Sequence, residues 1–440
     1  MITIEDLYKL YLSHPIVSTD TRKLPEGCLF FALRGANFDG NKYAGAALEA
    51  GAAYAIIDEA DQLIDERTIL VPDALQALQL LAAHHRRALG TPVIAITGTN
   101  GKTTTKELTA AVLSQSYRLL YTEGNLNNHI GVPLTLLRLT SEHQLALIEM
   151  GASKPGDIAE LCAIAQPNYG LITNIGQAHL EGFGSLEGVR RTKGELYDSV
   201  RAREGIIFYH EEDEVLRQMS LGTDRISYGS SPEAYVQGVA SPSTGESLFL
   251  HFSWSCPILE MSPREVQTQL VGDYNLANAL AAIAIGLYFD VPSDKIDEAL
   301  TSYCPSNSRS QLIHSERGNQ IIADAYNANP SSMRTALSNF LAIEPALRPR
   351  IVILGDMNEL GASSHEAHQE LYQKLSSTTT PPIEIYLCGP HWREELGDQP
   401  QVYPNVEELI AHIEAHPITK SLILVKGSNS IHLGKLLPYL

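Results

Sequence analysis

The chain has 440 residues, with 51 acidic against 32 basic side chains and a formal net charge of −19. At about 150 residues per domain this length predicts about three domains, and the acidic excess argues against a protein built to coat nucleic acid or an anionic membrane. A hydrophobic share of 44% with 19% charged residues supports several packed cores and excludes a disordered or low-complexity chain.

Residues 1–88 read as a small N-terminal α/β domain. The first residues lack the basic-then-apolar order of a signal peptide, and a helix is expected over 4–11. A turn-rich stretch follows, containing Asp20-Thr21-Arg22 and the segment 34–40, then a helix over 43–50 and a strand over 54–57. Leucines at helical spacing over 75–89 end at Gly90-Thr91-Pro92, a break in any helix. Residues 89–304 read as a central domain. Strands at 93–97, 145–149 and 169–174 alternate with helices from Thr104 and over 157–165, the pattern of βαβ units in a parallel sheet. Residues 205–271 differ: short alternating runs at 247–252 and 266–271 suggest an added antiparallel patch. Helices over 275–288 and 293–303 follow. The apolar stretch 276–289 is interrupted by Asn278 and is shorter than the ~18 residues of a membrane span, so a buried core helix is expected. Residues 305–440 alternate again, with strands at 320–323, 351–354, 383–387 and 422–425, the pattern of a C-terminal doubly wound, Rossmann-like sheet. No short-period repeat is present. The five cysteines are scattered without a CxxC pair, which suits a reducing compartment and argues against a disulfide framework or zinc site; a cytoplasmic location is expected.

The sharpest local signal is Gly98-Thr99-Asn100-Gly101-Lys102-Thr103-Thr104, after the strand 93–97 and at the start of a helix. Glycines let backbone N–H groups approach a phosphate, the helix N-terminus adds partial positive charge, and Lys102 supplies a point charge. Thr103 is placed to hold Mg²⁺. The spacing is GxxGKT, one glycine short of the full P-loop pattern; the bland alternative is a Gly-rich turn that caps a helix. Glu149 closes the strand 145–149, where an acidic second metal ligand belongs in such folds, or it is an ordinary strand-terminal acid. His179 and Lys193, taken alone, read as a structural histidine and a solvated helix lysine. In the last third, strands end in polar residues at 324–330, 355–357, 388–390 and 426–428. Ligands of open α/β sheets lie beyond such ends, although Gly, Asp and Asn favour turns anyway. Together with the phosphate loop these ends favour an enzyme closing two domains over ATP.

In order along essentially the whole chain, these motifs resemble the Mur ligase family. The resemblance is carried by Asp20-Thr21-Arg22 with Asp39-Gly40, the loop 98–104, the segment 124–133 with Asn127 and Asn128, Glu149-Met150-Gly151-Ala152, and the segment 179–184. Lys193-Gly194-Glu195, Gly272-Asp273-Tyr274-Asn275 with Asn278, the segments 324–330 and 355–361, and Lys426-Gly427-Ser428 complete it. The loop is shared with folylpolyglutamate synthases, whereas 325–330 and 355–361 resemble the branch that adds D-alanyl-D-alanine to UDP-N-acetylmuramoyl-tripeptide.

The resemblance implies three domains and a reaction in which ATP phosphorylates the tripeptide carboxylate before the dipeptide amine attacks. It implies ATP contacts from the loop 98–104, Asn275, Asn278, Arg309, Asp324, Tyr326, Asn327, Asp356 and Lys426. Mg²⁺ falls to Thr103, Glu149, His179 and Lys193, the last as a carbamylated lysine. Lys102, Lys193, His179 and Glu149 are the implied catalytic set. The UDP-sugar substrate falls to Asp20, Thr21, Arg22, Asp39, Gly40, Asn127 and Asn128. A monomer acting on small molecules, with no nucleic acid or membrane partner, is expected. Two positions depart from the family pattern: Asn41 stands where many members carry His, and Ser308-Arg309 replaces a more usual Gly-Arg. Other readings at this point are a Mur-type ligase for the third residue, a folylpolyglutamate synthase, which the N-terminal unit argues against, and a nucleotide-dependent switch, disfavoured by the absence of an NKxD motif.

Overall fold

A computed structural model of the chain describes residues 2–35, 38–241, 248–306, 309–343, 348–377 and 382–440. Ala36, Asn37, Ser247 and Ser308, named above, lie outside the described residues.

Three main sheets follow one another along the chain. The N-terminal sheet has four strands, Val17–Ser18, Leu29–Phe31, Tyr54–Ile57 and Thr68–Leu70, all parallel. Only 54–57 is legible in the sequence, because the others have two or three residues and carry no period. Parallel strands point their carboxyl ends the same way. The segment after Ser18, the hairpin after Phe31 and Asp58 after Ile57 therefore share one edge of this sheet. Asn41 is buried there: its side-chain N–H donates to Asp39 (3.0 Å) and Asp58 (2.8 Å), and its oxygen accepts from the Asp58 N–H (3.0 Å).

The helix Ala74–Leu89 joins this unit to the central sheet. Its leucine face, with Leu78 and Leu81, packs on Ile158, Leu161 and Ile164. Arg86 donates to the carbonyls of Ala165 (2.9 Å) and Gln166 (3.0 Å) and to the Asn168 side chain (2.9 Å).

The central sheet has nine strands. Seven run parallel, from the edge strand Leu119–Tyr121 through Leu145–Glu149, Val93–Thr97, Tyr169–Ile172, Ile206–His210 and Asp224–Gly229 to Val236–Ala240. The antiparallel patch is real but smaller than 205–271: it comprises Val236–Ala240, Phe249–Ser255 and Arg264–Val271. Ile206–His210 is buried through its middle and takes parallel neighbours on both sides. The helix Lys102–Leu113 begins two residues before the expected Thr104, because Gly101 in the left-handed region starts it. Helix Leu276–Tyr288 is apolar on every side past Asn278, as a core helix must be. All of residues 279–286 are buried, against the helix that opens from the phosphate loop.

The C-terminal sheet has the order Gln311–His314, Gln320–Asp324, Leu422–Lys426, Arg350–Gly355, Ile383–Cys388, Val402–Tyr403. Only the first pair is antiparallel. Apolar clusters cover both faces. Among the described residues no helix is long and apolar enough to cross a membrane.

Asn41→Ala removes two donors and an acceptor from a buried cluster and leaves the Asp58 backbone N–H without its partner. A loss of about 2 kcal/mol is expected, read as a lower thermal midpoint of the N-terminal unit; an unchanged midpoint would show that water replaces the carboxamide without penalty.

Candidate functional site

The strand Val93–Thr97 sits where the chain direction across the central sheet reverses, with Leu145–Glu149 on one side and Tyr169–Ile172 on the other. Ligands of open α/β sheets lie at this crevice. The strand leaves the sheet at Gly98, whose φ is +143°, and a Cβ there would lie 2.0 Å from Thr173 Oγ1. Gly101 has φ +77°, and a Cβ would lie 2.6 Å from Asn278 Oδ1. Both glycines are thus required by backbone angle and by space.

The expected strand 169–174 ends at Ile172 because the next two residues hold the loop instead. Thr173 Oγ1 donates to Asn100 O (2.6 Å), Asn174 Nδ2 donates to the same oxygen (2.9 Å), and Asn174 Oδ1 accepts from Asn100 N (3.0 Å). Lys102 folds over the loop and donates to Gly98 O (2.8 Å) and Thr99 O (3.0 Å). Burial lowers its pKa to about 8; the Glu149 carboxylate opposes this shift and the Arg309 charge adds to it.

Thr103 and Glu149 are both buried. The Thr103 hydroxyl lies 2.9 Å from Glu149 Oε2, and Asn127 Nδ2 donates to Oε1 (2.7 Å). This carboxylate thus has a hydroxyl and a carboxamide as hydrogen-bond partners. Asn128 Oδ1 accepts from the N–H groups of Ile130 and Gly131, at the start of a helix. Asn278 bridges Thr105 Oγ1 (3.0 Å) and Asn275 Oδ1 (2.9 Å), and Asn275 donates to Val271 O (2.9 Å).

The opposite wall comes from the C-terminal sheet. Lys426 Nζ donates to Asp324 Oδ2 (2.6 Å) and Asn327 O (3.1 Å), tying two adjacent strand ends. The Arg309 guanidinium lies 3.7 Å from the centroid of the Tyr326 ring, and its buried Nε has no hydrogen-bond partner. A buried donor left open is what an incoming anion satisfies.

Between these walls lies a cavity of about 710 Å³. Of the residues expected from sequence, it gathers Thr99 through Thr104, Asn127, Asn128, Glu149, His179, Asn275, Asn278, Arg309, Asp324, Tyr326, Asn327 and Lys426. Gly98, Lys193 and Asp356 are not on its surface, and neither are Asp20, Thr21, Arg22, Asp39 and Gly40 of the N-terminal sheet.

Asp356, expected at the nucleotide, is fully buried, and its carboxylate accepts from the N–H groups of His391 (2.9 Å) and Trp392 (3.0 Å). It orders the start of helix Pro390–Leu396 and turns away from the cavity. His179, expected at the metal, lines the cavity with its Nδ1 paired to Glu359 of the C-terminal domain. That pair holds the Glu359 carboxyl below its ordinary range. Among the described residues no three His, Cys, Asp or Glu side chains come together as a metal cluster.

Lys193 lies on helix Leu186–Arg201 and is 2% exposed, 5.9 Å from the Phe183 ring centroid. Burial, reinforced by the Lys102 charge, pushes its pKa well below that of an ordinary lysine, against the pull of Asp157, Glu195 and Glu149. Arg22 forms an exposed fork on Asp20, which drops to a pKa of about 2 through its hydrogen bonds to Arg22.

Sequence reasoning missed Asn174, which shapes the loop, and Asn329 and Ser331, which line the cavity from the C-terminal side. Asn174 was visible only as the end of a strand. Asn329 reads in the sequence only as a turn residue before Pro330.

Family models match along most of the chain: the Mur ligase family, catalytic domain over residues 15–86, the Mur ligase middle domain over 96–286, and the Mur ligase, glutamate ligase domain over 308–429. A relative from Escherichia coli, named UDP-N-acetylmuramoyl-tripeptide–D-alanyl-D-alanine ligase, is 39% identical over 426 residues, covering 94% of this chain and 91% of its own. The crystal structure of MurF from Acinetobacter baumannii aligns with a TM-score of 0.83 at 31% identity, covering 96% of this chain and 92% of that one. MurF from Thermotoga maritima, solved in complex with ADP, aligns with a TM-score of 0.83 at 25% identity and 97% of both chains.

The lowered pKa of Lys102 makes anion binding pH-dependent. A polyphosphate beside the amine raises that pKa, so binding takes up protons above pH about 8, and affinity falls as pH rises through that value; below it the amine is already charged and affinity is flat. Calorimetry of ADP binding in two buffers of different ionisation enthalpy measures the uptake. Zero uptake at pH 8.5 would place Lys102 away from the phosphates.

Proposed function

The chain belongs to the Mur ligase family, and from that premise we propose that it is the ATP-dependent amide ligase that joins D-alanyl-D-alanine to UDP-N-acetylmuramoyl-tripeptide in peptidoglycan precursor synthesis. The observation that carries this reading is the single cavity in which a phosphate loop on one sheet faces Arg309 and Lys426 on another. The products are the pentapeptide, ADP and phosphate. Residues 1–88 are assigned to the UDP-sugar, 89–304 to ATP, and 305–440 to completing the nucleotide site. The protein acts in the cytoplasm, as a monomer, on small molecules.

A carboxylate is a poor electrophile, so its oxygen must first become a leaving group. The γ-phosphoryl moves from ATP to a carboxylate oxygen: the P–O bond to the β-phosphate breaks as the bond to the carboxylate oxygen forms, and ADP leaves. The dipeptide amine then attacks the acyl carbon, the C–O bond to phosphate breaks, and the nitrogen loses a proton. In this chain the loop N–H groups and Lys102 receive the β- and γ-phosphates, Arg309 and Lys426 meet the charge from the other side, and Asn275 with Asn278 frames the adenine side. Thr103 and Glu149 offer hard oxygen donors that suit Mg²⁺, which is commonly held by one or two carboxylates together with substrate phosphates; the ion supplies charge neutralisation of those phosphates. The pairing of His179 with Glu359 leaves that histidine to a role at the domain contact in this arrangement.

Lys193 supports the carbamylation reading. A lysine of lowered pKa presents a neutral amine, whose nitrogen adds to the carbon of CO₂ and releases a proton, leaving a carbamate anion. Such an anion removes the unfavourable juxtaposition with the Lys102 charge.

Phosphate release from Mg-ATP is expected to require both UDP-N-acetylmuramoyl-tripeptide and D-alanyl-D-alanine. Release that instead needs a single amino acid with a shorter UDP-sugar peptide would give another Mur step, and release that needs neither would give a switch. Lys193→Ala is expected to be inactive, with part of the rate restored by short carboxylic acids; full activity without them would remove Lys193 from the reaction.

A further inference from the structure

One feature of the cavity is not used by phosphate binding or by metal binding. The side chain of Asn100, in the middle of the phosphate loop, makes its hydrogen bonds to the C-terminal domain. Its Nδ2 donates to Ser331 Oγ (2.8 Å), Ser331 Oγ donates to Asn329 Oδ1 (2.8 Å), and Asn329 Nδ2 donates back to Asn100 Oδ1 (2.7 Å). The three groups close a ring in which each donates once and accepts once, so the direction of every bond is set by the others.

The ring is anchored on both sides. The Asn100 backbone is fixed by Thr173 and Asn174, as described above. Asn329 Oδ1 also accepts from Ser332 N (2.9 Å) as the cap of helix Pro330–Ala342. Asn329 ends the same loop that carries Asp324, Tyr326 and Asn327, to which Lys426 and Arg309 are bound. A shift of the ring therefore moves the cationic wall relative to the phosphate loop. Among the described residues, other polar links between the two domains are Arg334 to Gln177 at 3.4 Å, His179 with Glu359, and, at the junction of the two domains, Ser310, whose hydroxyl pairs with Tyr274 (2.7 Å) and whose carbonyl accepts from the Val271 N–H (3.2 Å).

We propose that Asn100, Asn329 and Ser331 are positioning residues whose hydrogen-bond ring registers the C-terminal domain against the phosphate loop, setting the distance between the loop and the Arg309–Lys426 wall for phosphoryl transfer. This rests on the ligase reading for its kinetic arm. The loop and Lys102 take most of the ground-state phosphate contacts, whereas the Arg309–Lys426 wall faces the group being transferred, so the ring acts on turnover more than on ATP binding. Misplacement of groups near a reacting centre is felt in rate.

Ser331→Ala removes one member of the ring and leaves the Asn329 cap in place. Its kcat is expected to fall about five-fold, the worth of one neutral hydrogen bond, with KM for ATP and the thermal midpoint unchanged. Ser331→Thr, which keeps the hydroxyl, is expected to stay close to the parent. Because the ring acts as a unit, Asn100→Ala with Ser331→Ala should lose no more than Asn100→Ala alone. A Ser331→Ala enzyme with parental kcat, or a double variant whose losses multiply, overturns the proposal. A second arm does not need turnover: small-angle scattering with saturating ADP should give a larger radius of gyration for Ser331→Ala than for the parent, and equal radii overturn the proposal. If the parent releases no phosphate with both substrates, the ligase reading fails and the scattering arm alone decides the ring.

Discussion

The backbone of Asn100 is the point on which the cavity depends. A phosphate loop needs its N–H groups free to face the ligand, so the loop's own carbonyl must be satisfied elsewhere. Here Thr173 and Asn174, at the end of the neighbouring strand, take that carbonyl and one N–H. This is possible only because the two strands are hydrogen-bonded parallel neighbours at the point where the strand order switches sides. The same attachment explains why the strand stops at Ile172 and why Gly98 admits no Cβ.

Electrostatics follow from that frame. A chain of net charge −19 has no global attraction for anionic substrates. Attraction must be local, and the local cations are held under suppression. Burial lowers the pKa values of Lys102 and Lys193, with the Arg309 charge adding to the first shift and the Lys102 charge to the second, while Lys426 is tied to Asp324. An incoming polyphosphate supplies the countercharge that the buried Lys102 lacks, so its binding raises the pKa of that amine. The buried and unpartnered Arg309 Nε belongs to the same arrangement.

The N-terminal sheet repeats the geometry on a smaller scale. Its four parallel strands gather Asp20, Asp39 and Asp58 at one edge, and Asn41 knits two of these carboxylates into the domain. Asn41 therefore has a definite structural role: a neutral carboxamide donates to both carboxylates at once and accepts from the backbone, which one imidazole ring could not do in the same place.

The sequence by itself determined the alternating α/β order, the buried helix 276–288 and the phosphate loop. These depend on neighbours a few positions apart, through periodicity, glycine freedom and helix-start chemistry. It also brought most of the cavity residues into view, from the loop to Lys426. What it left dark are features set by long-range packing. The short N-terminal strands exist because they pair, and no local period marks them. Asp356 faces inward because a helix start lies above it, and His179 meets Glu359 because two domains touch. Asn100 and Asn329 stand 229 positions apart, and only the folding of two separate sheets against one cavity places their carboxamides within hydrogen-bonding distance.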